Sequence, residues 1–348
     1  MAQSKKSNPL LVLLAPLWGL FKLVFFMALA CILFMEVTTP SLDYSKGPPA
    51  PYRSAQPADW TENTGGTKPR TYRTKLTTHD YRSLQIDVFA PPNMKDAPLP
   101  LTIIIAGFMS PEWLFEKVRP HGNNAVIFYT SPRLERMNGP FLPSVSQSRN
   151  ASGLSGYWNL MATNPLNHIY SIHAGLHEAP ADIVDIVSWA VENVNADVNR
   201  INIIGLGSGS LIASAAADAL QVSGKPPRTL TLIYPPADMS SAITDNLIRW
   251  PRWVRDPLAR LLELNFFRLG FERHLPYLSY ISKLLVIPEN AFELATYAAE
   301  PAIRLAGDKT DVVRHDLGYK GYYTDENTNG VRDIVGQWLI SKGAIQAY

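Results

Sequence analysis

Cysteine is nearly missing from this sequence: Cys31 is the only one in 348 residues. A single thiol forms no internal disulfide and no thiolate metal centre, so neither a disulfide scaffold nor a zinc ribbon is open to the chain. An excess of charge is missing too. The 32 Lys and Arg nearly balance 30 Asp and Glu, and a net charge of +2 offers little to a polyanion, so no nucleic acid partner is expected. Internal repeats are absent, which excludes solenoids and propellers. With 46% hydrophobic and 18% charged residues, the composition is that of an ordered globular protein. The length suits one sizeable α/β domain with an appendage, not two large domains.

One long apolar run is present. Lys5 and Lys6 precede Leu10 to Val37, which carries only Lys22 before Glu36. Its length of about 28 residues exceeds the ~20 that cross a bilayer. Residues 1–37 read as a signal anchor forming an N-terminal transmembrane helix, with Lys22 snorkelling toward the headgroups. Lysines before the run favour a cytoplasmic N-terminus and a C-terminal domain outside the cytoplasm, which in a bacterium is the periplasm. The expected partner of this segment is the lipid bilayer. A cleaved signal peptide with its apolar region at Leu23 to Met35 is the alternative. Residues 38–70 are rich in Pro, Ser, Thr and Gly and lack apolar periodicity, as an extended tether does.

From residue 71 onward, strand-like and helix-like segments alternate, the pattern of a mostly parallel sheet with helices on both faces. Tyr72 to Thr77 and Leu84 to Phe89 read as an antiparallel pair. Leu101 to Ala106, Ala125 to Tyr129, Ile201 to Ile204, Thr229 to Tyr234 and Leu284 to Ile287 read as buried strands, with one more between Ala302 and His315. Helices are expected over Ala181 to Val194, Leu211 to Leu220, Phe292 to Ala299 and Val331 to Ile340. Residues 239–283, bearing Trp250, Trp253, Arg255, Arg260, Phe266 and Phe267, read as a helical cap.

The segment Ile201-Asn202-Ile203-Ile204-Gly205-Leu206-Gly207-Ser208-Gly209-Ser210-Leu211 is a strand, a glycine-rich turn and a small-residue helix. It resembles the nucleophile elbow of the α/β-hydrolase superfamily, G-x-S-x-G between strand and helix, and the resemblance extends from about Tyr72 to the C-terminus. Gly205 and Gly209 match the flanking glycines, while Gly207 stands where the serine belongs and has no atom with which to form an acyl intermediate. The resemblance implies an α/β-hydrolase fold and an oxyanion hole from backbone N–H groups of Phe108, Met109 and Ser208. It further implies His315 as the triad histidine. Two registers remain for the acid: Glu289, or Asp308 and Asp311, and in the second Lys320 takes the histidine position. A shifted nucleophile at Ser208 is the route to an active serine hydrolase acting on ester or amide bonds. The leading expectation is a hydrolase-like domain without that activity, binding a small acyl ligand or a protein partner.

Gly205, Gly207 and Gly209 do not match a dinucleotide fingerprint, whose third small residue would fall at Ser210. No cofactor is expected. His168, His173, His177 and Glu178 form the densest histidine cluster. Gly175 and Pro180 argue for a polar loop there, entering the helix at Ala181, and no metal site is expected. Asn150-Ala151-Ser152 has the pattern of a glycosylation acceptor.

Overall fold

The computed structural model describes residues 70–78, 83–91, 97–105, 119–120, 122–129, 165–237, 240, 251–266, 269–288, 293–315 and 325–347, with Trp18, Gly19, Lys22, Leu23 and Phe26. The chain forms two compact units, Met1–Ser41 and Leu42–Tyr348. In the first, the five described residues are helical and exposed, and the Lys22 ammonium lies 5.5 Å from the Trp18 ring centroid. Among the described residues no helix is long and apolar enough to cross a membrane. The expected span from Leu10 to Val37 falls almost wholly outside them.

The second unit is built on an eight-stranded sheet in the order β1-β2-β4-β3-β5-β6-β7-β8. The strands are β1 (Arg70–Thr77), β2 (Ser83–Ala90), β3 (Leu99–Ile105), β4 (Ala125–Tyr129), β5 (Ala196–Leu206), β6 (Thr229–Ile233), β7 (Ser282–Ile287) and β8 (Thr310–Arg314). β1 and β2 pair antiparallel, β2 meets β4 antiparallel, and the remaining six strands run parallel. Parallel strands are buried on both faces, which is why β3 reads as a continuous apolar run and is buried throughout.

Period-two alternation sorts these residues into two cores. Ile103, Ile105, Ile203, Leu230 and Leu285 pack on one face with the helices α1 (Pro165–Asn193), α2 (Gly209–Val222), α4 (Phe271–His274) and α5 (Glu293–Ala306). Ile104, Ile204, Ile233, Leu284 and Val286 pack on the other with Val331, Val335 and Leu339 of α6 (Asp325–Ser341). The remaining helix, α3 (Arg252–Phe266), lies against α1.

Two expectations need correction. α1 begins at Pro165, not Ala181, and runs through Gly175 and Pro180 for 29 residues, so His168, His173 and His177 lie on a helix rather than in a loop. Burial overrides the local breakers, since Ala179, Ile183, Ile186 and Val187 are all sealed in the core. The expected cap over residues 239–283 lies partly outside the described residues. Phe271, Leu275, Leu278 and Ile281 are core residues of the α2 face, so the second half of residues 239–283 belongs to the helical layer.

Candidate functional site at the carboxyl edge of the sheet

In open parallel sheets, ligands bind beyond the carboxyl ends of the strands. β5 ends there in a turn whose centre is Gly207. Its φ of +52° is the left-handed region that glycine enters freely, and its N–H donates to the Ile233 carbonyl at the end of β6, 2.9 Å away. A Cβ placed on Gly207 meets nothing within 4 Å. Gly205 is the opposite case. A Cβ there would stand 2.5 Å from the Ser210 Cα and 2.7 Å from the Ala213 Cβ, so glycine is what lets α2 close on the strand.

Ser208 is half-buried, with φ −61° and ψ −21°, right-handed helical values at the start of α2. Ser210 is fully buried, and its hydroxyl donates to the Gly205 carbonyl at 3.1 Å, whereas a helix cap would accept from a backbone N–H. It fastens the turn and is not available for attack.

His315 follows β8 and is still in sheet register, its N–H donating to the Ile287 carbonyl at 2.8 Å. The imidazole leans on α6, because a Cβ on Gly330 would come within 2.8 Å of Nε2. β8 is three strands from β5, a lateral separation of about 14 Å at ~4.8 Å per strand. Tyr234 holds this arrangement across the strand ends. Its N–H donates to the Val286 carbonyl at 2.8 Å and its hydroxyl to the His315 carbonyl at 2.7 Å. Its φ of +53° is unusual for a residue with a side chain. No sequence motif pointed to Tyr234; the Pro235 that follows disfavours only the right-handed helical region.

Asp308 and Asp311 do not join this group. Asp308 lies in the turn before β8 and Asp311 near its amino end, which puts them at the opposite edge from the elbow turn. Asp311 Oδ2 accepts from Trp338 Nε1 at 2.7 Å and pairs with Lys342 at 2.9 Å. The Trp338 bond, then Lys342, hold its carboxyl below the usual range. Asp311 is therefore a fastener between β8 and α6, and the acid register that used it is not supported by its position. Glu289 falls two positions after the end of β7 and lies outside the described residues, as do Phe108, Met109, Lys320 and Asn150 to Ser152.

Away from this edge, His274 Nδ1 meets Asp218 Oδ2 at 2.9 Å, joining α4 to α2. Lys283 is fully buried and donates to the carbonyls of Leu278 and Ile281. Burial, with Lys309 nearby, pushes its pKa down to about 8. Among the described residues no group of three His, Cys, Asp or Glu is placed to hold a metal ion.

The overall fold is similar to that of solved structures. Carboxyl esterase 2 of the mycorrhizal fungus Tuber melanosporum superposes with a TM-score of 0.52 at 14% identity, over 81% of this chain and 89% of that one. The fold is that of the α/β-hydrolases. An α/β-hydrolase enzyme from the metagenome of Lake Arreo, Spain, gives 0.50 at 15% identity, over 85% of this chain and 86% of its own. The acylaminoacyl peptidase of Pyrococcus horikoshii gives 0.51 at 13% identity, over 82% of this chain and 43% of the peptidase. No protein-family model and no curated protein matches the sequence.

Proposed function

We propose that this chain is a membrane-anchored α/β-hydrolase-fold protein whose domain is held outside the cytoplasm and binds a partner or small acyl ligand without hydrolysing it. Gly207 carries the proposal: it stands at the turn after β5 in the left-handed conformation of the elbow, and it has no side chain. Acyl transfer by a triad needs a nucleophile and a base within about 3.2 Å of each other. The turn provides no nucleophile at its centre, and the His315 ring packs against α6 while its carbonyl is held by Tyr234. The open space above Gly207 and the position at the carboxyl edge suit a bound ligand instead.

The test is labelling of the full chain in detergent or nanodiscs with a fluorophosphonate, which reacts with activated serines. A folded chain that stays unlabelled supports the binding role. Labelling that is lost in Ser208→Ala and in His315→Ala overturns it in favour of a serine hydrolase.

A further inference from the structure

Among the described residues β8 is the last strand of the sheet on the side away from β1. Its hydrogen bonds show which main-chain groups β7 leaves unused. The Lys309 carbonyl accepts from the Lys283 N–H and the His315 N–H donates to the Ile287 carbonyl, each at 2.8 Å, so the odd-numbered residues bond to β7. By strand alternation the N–H and C=O groups of Thr310, Val312 and Arg314 point outward. Proteins usually guard such an edge with a proline, a bulge or an outward charge. β8 has no proline, Lys309 is turned to the Tyr280 carbonyl, and Asp311 is turned to Trp338 and Lys342. Val312, at the middle of the strand, is 42% exposed. Arg314 at one end and Asp308 in the turn at the other are exposed, and among the described residues neither has an ion-pair partner.

We propose that a second copy of this chain pairs here, β8 against β8, antiparallel about a two-fold axis through Val312. The strand's own pattern selects that occupant. Directly opposed residues of an antiparallel pair share a side of the sheet, and the register centred on Val312 joins every outward residue of β8: Thr310 meets Arg314 of the second copy, and Val312 meets its own equivalent. The same register sets Arg314 diagonally across from Asp308 of the second copy, a spacing of about 7–8 Å that an arginine spans. Both unpaired charges therefore gain an opposite charge, twice by symmetry. The two-fold also continues the helical layers. Thr310 Oγ1 donates to the Ala306 carbonyl of α5 on one side of the sheet, and Asp311 bonds Trp338 of α6 on the other. A second copy brings equivalent helices to both sides, whereas a lone peptide strand would leave its two faces bare in a sheet whose parallel strands are covered.

Cys31 is the single native cysteine, so Val312→Cys in a Cys31→Ser background carries one thiol per chain. Opposed hydrogen-bonded residues lie about 5.5 Å apart at Cα, within disulfide range. In the full chain in detergent, mild oxidation should convert Val312→Cys to a covalent dimer. Thr310→Cys, out of register with its own equivalent, should cross-link only when mixed with Arg314→Cys. By sedimentation, Arg314→Asp and Asp308→Arg should each weaken the dimer roughly tenfold, and the double variant should restore it. Val312→Pro removes an outward N–H, a change that an edge strand tolerates; it should keep the circular dichroism of the parent and lose the dimer. A Val312→Cys chain that does not cross-link, or a Thr310→Cys chain that cross-links as readily by itself, overturns the proposal. A dimer that survives Val312→Pro is held elsewhere in the chain and overturns it as well.

Discussion

Replacing Gly207 with serine places a hydroxyl at the centre of the turn after β5, and the structure fixes what should follow. No atom lies within 4 Å of the new Cβ, so there is no clash to relieve. The penalty is conformational: a residue with a Cβ at φ +52° costs about 1–2 kcal/mol. Loss of glycine's freedom in the unfolded chain returns about 0.4–1 kcal/mol. The net destabilisation is therefore about 1 kcal/mol, a fall in Tm of roughly 2–4 °C for a domain of this size. Chemistry should not follow. On the binding role proposed above, with the His315 ring against α6, the new hydroxyl has no base to take its proton. Thermal unfolding and fluorophosphonate labelling of the same preparation check both halves. Rapid labelling of Gly207→Ser that His315→Ala abolishes would refute the reasoning, since it requires the imidazole to reach the elbow. A fall in Tm beyond about 10 °C would refute the reading of open space.

Gly205→Ala should behave differently from any change at 207, because its Cβ would fall 2.5 Å from backbone; a loss of about 3 kcal/mol or more in urea unfolding is expected, and a loss below 1 would contradict the close packing. Tyr234→Phe removes the hydroxyl bond to the His315 carbonyl and should lower stability by about 1 kcal/mol; chemical shifts of His315 should move with it, and an unchanged spectrum would deny the link. Lys283→Met is a pH prediction. The folded pKa of about 8 lies below the ordinary lysine value of 10.5, so between these values the unfolded chain binds more protons and stability rises with pH. The penalty for burying the charged amine is present in full below pH 8, and at about 1.4 kcal/mol per pKa unit it amounts to roughly 3 kcal/mol. The stability difference between Lys283→Met and the parent should shift by that amount from pH 8 to 10.5, in the parent's favour; a constant difference would contradict the depressed pKa.

The fold was legible where patterning and burial agree. The apolar runs of β3, β4 and β7 and the small-residue helix after Gly209 mark buried parallel strands and a close helix–strand contact, and the packing around Gly205 explains why glycine is required there. Legibility failed where burial outweighed local propensity. Pro180 and Gly175 read as breakers, yet the apolar face of α1 keeps the helix going. It failed also where a residue type misleads: Lys283 looks like a surface lysine within Ser-Lys-Leu-Leu-Val-Ile, but it is buried and the carbonyls of Leu278 and Ile281 accept its hydrogen bonds. At the site, motif spacing marked Gly207 and His315, whereas the choice between acids depends on which end of a strand each occupies. Asp311, at the amino end of β8 beside Trp338 and Lys342, is disfavoured by topology and not by any sequence signal.

Backbone strain gives these observations a common physical basis. A serine at the centre of an elbow is held in a left-handed conformation that disfavours any side chain, and such strain persists only where surrounding structure imposes it. Glycine at 207 removes that strain while the turn is kept, its N–H still bound to Ile233. Among the described residues near the carboxyl edge, the left-handed residue with a side chain is Tyr234. Its contacts show what imposes it: the main chain is fixed to β7 and the hydroxyl to the residue after β8. Strain is thus absent at the position where a nucleophile would use it and present at one that ties three strand ends together. That distribution fixes the carboxyl ends of β6, β7 and β8 to one another through Tyr234.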